Sequence, residues 1–179
     1  AWKAALVTEA LAARGIRHDV TDCIDAHGAG RRRVILHVRK RGTLVTAGYM
    51  EARSHTLLDI DRCPILEPSL APAFDIGRAL GERLGDCDVA VTATLTGLDV
   101  SVKAERNVLE REHGRLAGFV TALGLARLSV NGEAIATAVP PRLKLGKAEV
   151  ALPPGGFLQA TAAGEETLAQ AGEALGHLA

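Results

Sequence analysis

Asp88-Val89-Ala90-Val91-Thr92-Ala93-Thr94-Leu95-Thr96-Gly97-Leu98-Asp99-Val100-Ser101-Val102 is the stretch that decides the fold. Val89, Val91, Ala93 and Leu95 recur with the period of two that puts them on one face of a strand. Thr96-Gly97 supplies a turn, and Leu98, Val100 and Val102 alternate back. The stretch is a half-buried antiparallel hairpin. Both neighbours in sequence have helical periodicity instead. Before it, Leu70–Leu84 places Leu70, Ala73, Phe74, Ile76, Leu80 and Leu84 on one side. After it, Glu105–Leu123 places Leu109, Leu116, Phe119, Val120 and Leu123 on one stripe, and Gly124 stops it.

The same alternation of hairpin and helix extends outward. Val34, Leu36 and Val38 begin a strand, Arg41-Gly42 turns, Thr43–Met50 returns and His55–Ile60 adds a third arm. On the other side, Ala126–Val130 and Glu133–Val139 flank Asn131-Gly132, a strong hairpin signal. A last strand is predicted near Lys147–Leu152. Residues 2–14 and Glu165–Leu178 read as terminal helices. The fold expected is therefore α+β, a largely antiparallel sheet of hairpins with helices packed on one face. A doubly wound dinucleotide fold is excluded, because Gly28-Ala29-Gly30 lacks the third glycine of that fingerprint and an arginine run follows it.

With 179 residues, 47% hydrophobic and 23% charged, the chain has the composition of an ordinary globular protein. No apolar run approaches the roughly 20 residues of a membrane span, and no secretory signal pattern is present, so a cytoplasmic location is expected. The formal net charge is zero, yet Arg31-Arg32-Arg33 and Arg39-Lys40-Arg41 flank one short strand. Two readings of these runs stand side by side: solvated cations that protect a strand from edge pairing, and a phosphate-binding patch. Alternation puts Arg31 and Arg33 on one side and Arg32 on the other. Cys23, Cys63 and Cys87 have neither disulfide parity nor zinc spacing and read first as small buried hydrophobes. His27, His37, His55 and His113 lack ligand spacing. Ser54, His55 and Asp59 are neighbours in sequence, which does not make a triad.

Ala47-Gly48-Tyr49-Met50-Glu51-Ala52-Arg53-Ser54-His55-Thr56-Leu57-Leu58-Asp59-Ile60-Asp61-Arg62-Cys63-Pro64-Ile65-Leu66 carries more than periodicity. It resembles the stretch G-F/Y-x-x-x-R-S-H-x-I/L-V/L-D-I-x-x-C-P-I of the bacterial S-adenosylmethionine-dependent RNA uracil-5-methyltransferases, which form 5-methyluridine in 23S rRNA or tRNA. Phe157-Leu158-Gln159-Ala160-Thr161 is similar to that family's F-x-Q-x-N motif, with Thr161 in place of Asn and Gly155-Gly156 in place of a bulkier lead-in. Gly30-Arg31-Arg32-Arg33 resembles its basic strand start. The three matches fall in the family's order and span most of the chain.

The resemblance implies a central RNA-facing domain over residues 1–152. Residues 153–179 would be the lead-in and first helix of a methyltransferase core, most of which lies beyond this piece of a longer protein. It implies that Gln159 contacts S-adenosylmethionine and that Arg31, Arg32 and Arg33 lie next to RNA. Phe157 is either a platform for an extruded base or a core residue. In cluster-bearing members the Cys-Pro cysteine, here Cys63, is the fourth ligand of a 4Fe–4S cluster. The other three ligands fall just before the position of Trp2-Lys3, so the cluster is not expected to be stable in this stretch alone. The partner implied is RNA, rRNA favoured over tRNA because of Cys63, with no membrane and no DNA. The family's nucleophile and base would lie beyond residue 179, so no catalytic residue is expected here. The alternative is a non-catalytic α+β RNA-binding module with Cys63 purely structural.

Overall fold

The computed structural model describes residues 2–20 and 23–176. Helix α1 (Trp2–Ala12) leads through a long loop to β1 (Arg33–Arg41), β2 (Leu44–Met50) and β3 (Leu57–Asp59). Helix α2 (Ala73–Leu84), the hairpin β4 (Cys87–Thr94) and β5 (Gly97–Ala104), and helix α3 (Glu110–Ala122) follow. Then come the hairpins β6 (Leu125–Val130) with β7 (Glu133–Thr137) and β8 (Arg142–Leu145) with β9 (Ala148–Ala151), and helix α4 (Ala162–Gly176). The last residues predicted for that helix, 177 and 178, lie outside the described residues.

Seven strands form one sheet in the order β3-β2-β1-β4-β5-β6-β7. Every pairing in it is antiparallel except β5 with β6. That pair is parallel because α3 carries the chain back across the sheet between them, as a parallel connection requires. The result is the expected α+β fold. The hairpin that decides the reading forms as expected, with Val89 opposite Val102 and Val91 opposite Val100.

One face of the sheet is apolar and carries both α2 and α3. Leu36, Val38, Val89, Val91, Val100, Val102 and Leu128 are buried there against Phe74, Ile76 and Leu80 of α2 and Leu116 and Val120 of α3. With few aromatics in the chain, Phe74 is the largest fully buried side chain, and Tyr49 meets its edge with ring centroids 6.4 Å apart. Helix α1 stands apart: none of its residues is buried and Trp2 is 68% exposed.

The opposite face carries a polar row. Arg33, Thr92, Asp99, Arg127 and Thr137 are successive cross-strand partners from β1 to β7. Arg127 holds Asp99 with two bonds of 2.8 and 2.9 Å, and both residues are nearly inaccessible at 7% and 3%. A buried pair of this kind adds little net stability but penalises any register that parts it, so it pins the one parallel pairing.

Several elements differ from the sequence reading, three of them for clear local reasons. Helix α2 begins at Ala73 because Pro68–Leu70 forms a separate 3-10 turn and Pro72 caps the helix. Helix α3 begins at Glu110, five residues late. The Glu112 carboxylate accepts the Leu109 N–H at 3.1 Å and binds Arg106 at 2.8 and 2.9 Å, which holds residues 105–109 out of the helix. Strand β8 was not anticipated, because Pro140-Pro141 reads as a break. The predicted strand near Lys147–Leu152 is its partner, β9, and the hairpin turns at Gly146.

Gly48 sets how closely β2 and β3 approach. A Cβ there would lie 1.9 Å from the Leu58 carbonyl oxygen, a contact with backbone that cannot swing away. Gly48→Ala is therefore expected to destabilise the protein by about 1–3 kcal/mol, the usual cost of overpacking. Urea denaturation measures it, and a midpoint equal to the wild type would show that β3 is free to move aside.

Candidate functional site

The sequence motifs converge on the residues that lead into β1. Gly30 has φ +108°, and a Cβ on it would come within 3.0 Å of Glu67 N. Only glycine lets the backbone lie that close. Arg31 then pairs with the Cys63–Glu67 segment in both directions: its N–H donates to Ile65 O at 2.8 Å, and its carbonyl accepts from Glu67 N at 2.9 Å. The next residue turns to the other end of the chain. The Arg32 N–H donates to Ala160 O at 2.9 Å. Segments near residues 31, 65 and 160 thus share one strand end.

The three arginines have different surroundings. Arg31 is exposed. Arg32 is only 8% exposed; its Nε donates to Gln159 O at 3.2 Å and its Nη2 pairs with the Glu165 carboxylate. Arg33 is half-buried on the polar face and donates Nη1 to Gly156 O at 3.0 Å, while its buried Nε has no partner among the described residues. Arg31 and Arg33, which alternation placed on one side, have different surroundings: Arg31 is exposed, and Arg33, like Arg32, is bonded to the lead-in. Arg32 and Arg33 are bound to their own chain, which leaves Arg31 as the member of the run open to a phosphate.

The lead-in that they grip is shaped residue by residue. The Gly156 N–H closes a turn onto Pro153 O at 3.0 Å. Leu158 is buried with Leu143 of β8 and Leu152 just after β9, forming a second small core. Phe157, between these anchors, is 81% exposed. Of the two readings offered for Phe157, the core one is therefore not realised. Gln159 is half-buried. Thr161 caps α4 by accepting the Gly164 N–H at 3.0 Å, and its hydroxyl donates to Ala26 O. Threonine thus does at this position what asparagine also does well, which accounts for the departure from the F-x-Q-x-N pattern.

Gln159 and Phe157 line an open groove of about 1460 Å³ between the β8–β9 hairpin and α4. Lys144 and Lys147 stand on the hairpin wall, and Glu165 and Glu166 on the helix wall. Sequence reasoning passed over both walls. Strand β8 was hidden behind its prolines, and Glu165 looked like an ordinary charge on the first turn of a helix.

Cys63 sits on the other side of the strand end, half-buried and packed against the main core. Burial, reinforced by Cys63, pushes the Tyr49 phenol up to about 12, while the Arg31 charge works against the rise. Cys87 is buried, and burial lifts its thiol to about 11, so it is the inert small hydrophobe expected. Cys23 is exposed, unlike that expectation. Among the described residues no group of three His, Cys, Asp or Glu side chains could hold a metal. Within the described residues Cys63 is thus one candidate thiolate where a 4Fe–4S cluster needs four.

The loop that carries Cys63 is tied down by Arg78 of α2. Its Nη2 donates to Asp59 at 2.9 Å, Asp61 at 2.7 Å and Ile60 O at 3.0 Å, and Asp59 also accepts the Ala47 N–H at 2.9 Å. Asp59, read beside Ser54 and His55 in the sequence, is structural.

No protein-family model matches this chain. Curated relatives do. An uncharacterized RNA methyltransferase of Caulobacter vibrioides is 36% identical over 185 residues, covering 95% of this chain and 44% of the relative. Another, of Brucella suis, is 35% identical over 172 residues, covering 94% and 41%. A third, of Agrobacterium fabrum, is 33% identical over 175 residues, covering 95% and 42%. This chain is similar to a part of bacterial RNA methyltransferases. It spans a little over two fifths of the length of these relatives. Among solved structures, the Pyrococcus abyssi tRNA (uracil-54, C5)-methyltransferase in complex with S-adenosyl-L-homocysteine shares the fold, with a TM-score of 0.60 at 16% identity over 96% of this chain and 48% of that one.

The Asp59–Arg78 tie predicts a pH effect. Burial works to raise the Asp59 carboxyl, but the Ala47 N–H and the Arg78 guanidinium outweigh it and hold it below the ordinary carboxylate range. A lowered folded-state value contributes stability above the unfolded value and loses it as pH falls through the folded one. Asp59→Asn is expected to be less stable than the wild type at neutral pH, with the gap closing on acidification. Urea midpoints measured across that range check it, and a gap independent of pH would rule out the charge as its source.

Proposed function

We propose that this chain is the central, RNA-facing part of a longer S-adenosylmethionine-dependent methyltransferase that forms 5-methyluridine in RNA, with the nucleophile and base supplied from outside it. The observation that carries the reading is the meeting of residues 31–33, 63–67 and 156–161 at one strand end, with Phe157 exposed and Gln159 lining the groove. The RNA methyltransferase relatives support the reaction class. The solved neighbour, a uracil-C5 enzyme in complex with S-adenosyl-L-homocysteine, supports the base and the methyl donor.

The chemistry of each side chain suits its role in this reading. A base must leave its stack before its C5 is reached, and an exposed ring on a fixed backbone is a surface for it to stack on. The Gln159 amide both donates and accepts, matching a ligand that carries an amino group and a carboxylate. Arg31 supplies a guanidinium to phosphate oxygens. The rRNA substrate is favoured over tRNA by the resemblance around Cys63, which also makes Cys63 a 4Fe–4S ligand if the remaining thiolates come from elsewhere in the full-length protein.

Mapping 5-methyluridine by mass spectrometry in RNA from cells with and without the gene tests the reading directly. Loss of the modification from one rRNA uridine is expected, and an unchanged map overturns it. In the purified full-length protein, Phe157→Ala should weaken RNA binding by about 1–3 kcal/mol, the worth of one stacked base. Arg31→Ala should reduce the salt slope of that binding by about 0.7, the value for one phosphate on a single strand. Affinity and slope equal to the wild type would remove these residues from the interface. Visible absorbance that vanishes in Cys63→Ser is the expected sign of the cluster, and colourless wild-type protein would dispose of it.

A further inference from the structure

We infer that Arg32 is a positioning residue for the methyl donor: it clamps the successive carbonyls of Gln159 and Ala160 and so fixes where the Gln159 amide stands in the groove. This inference rests on the donor-contact reading of Gln159 and goes beyond it by naming what holds that side chain in place.

The geometry is one residue gripping a segment nearly 130 positions away. Arg32 Nε donates to Gln159 O at 3.2 Å, and Arg32 N donates to Ala160 O at 2.9 Å. Two successive carbonyls are thus held by one residue, whose own carbonyl is bound to Ala93 N at 2.9 Å in the neighbouring strand. The far end of the guanidinium pairs with Glu165 in the first turn of α4. One planar fork therefore ties the sheet, the lead-in and the helix together. Lysine, a single point charge, could reach Glu165 but could not also hold the carbonyl. Around this clamp, Leu158 is anchored in the second core and Thr161 caps α4. Gln159 and Ala160 lie between them, and Gln159 lines the groove. Preorganising a binding side chain removes the entropy otherwise lost when the ligand arrives.

Double-mutant calorimetry with S-adenosyl-L-homocysteine on the full-length protein is the test. Gln159→Ala and Arg32→Gln are each expected to weaken binding, Arg32→Gln by roughly tenfold, the scale of a hydrogen bond from a charged group. Arg32→Gln should add nothing in the Gln159→Ala background, because it acts through Gln159. Steady-state kinetics should show a raised KM for the donor, with kcat at saturating donor and KM for RNA retained. A general loss of structure would move all three and the melting temperature together. Glu165→Gln, which keeps Arg32 and removes the charge, should shift donor KM the same way and serves if Arg32→Gln does not fold. Arg32→Lys should fold normally and still bind the donor weakly. Additive losses, or wild-type donor affinity in the Arg32 and Glu165 variants while Gln159→Ala is weakened, would overturn the clamp. Wild-type affinity in Gln159→Ala would instead sink the donor-contact reading beneath it.

Discussion

The backbone of residues 30–33 is the constraint on which the rest depends. A chain segment can be hydrogen-bonded into a sheet on two sides, but here the two sides lead to opposite ends of the sequence. Arg31 is matched to residues 65 and 67, Arg32 to residue 160 and to Ala93. Both matches need the chain to enter β1 along one path, and Gly30 is the residue that permits it, since a side chain would strike Glu67 N and the Leu66 carbonyl carbon. The Cys63 loop and the Phe157–Thr161 lead-in are thus registered against each other through three residues at the entry to β1.

Two further features keep that strand end from drifting. Arg78 fastens the approach to Cys63 by its bonds to Asp59, Ile60 and Asp61. On the polar face, the Pro154–Gly155 turn lies against Ser101, two residues along from the buried Asp99–Arg127 pair. The register of β5 with β6 and the path of the lead-in are therefore set on the same surface. Burying polar groups this way contributes little stability, and its effect is to make one arrangement far better than its neighbours. The apolar face, with Phe74 and a large set of Val and Leu side chains, supplies the stability.

How much of this was legible depended on whether the signal was local. Alternation in 88–102 and the stripes on α2 and α3 are local, so the α+β class and most elements could be read from spacing. Strand β8 could not, because Pro140-Pro141 reads as a terminus and only the pairing with β9 makes Arg142–Leu145 extended. The late start of α3 was hidden for a similar reason: Glu112 looks like one more helical charge until Arg106 and the Leu109 N–H converge on it. At the site, Gly30, Arg31–Arg33, Cys63, Phe157 and Gln159 all drew attention as residue types in a pattern. Their sequence order could not show that Arg32 and Arg33 face inward onto the lead-in, because the partners lie more than 120 residues away.

That inward use of arginine changes the electrostatics of the proposed RNA surface. Six cations stand at the two ends of β1, and the far three are engaged as well: Arg41 with Asp86 at 3.0 Å, Arg39 with Asp88 at 3.7 Å, and Lys40 Nζ with Glu82 O at 2.7 Å. The strand-protecting reading of the run does not hold, because β1 is internal and paired with both β2 and β4. These three cations are held by carboxylates and a carbonyl of the chain itself. With Arg32 and Arg33 bound to the lead-in, a continuous cationic track along β1 does not exist, in keeping with a formal net charge of zero. Recognition on the proposed reading then falls to a bare aromatic ring and an amide held on a clamped backbone, with Arg31 to one side and the hairpin lysines across the groove. Such a surface suits an unstacked single-stranded base better than a duplex backbone. A stacking platform needs a rigid support more than it needs charge, and the arginines provide that support from beneath.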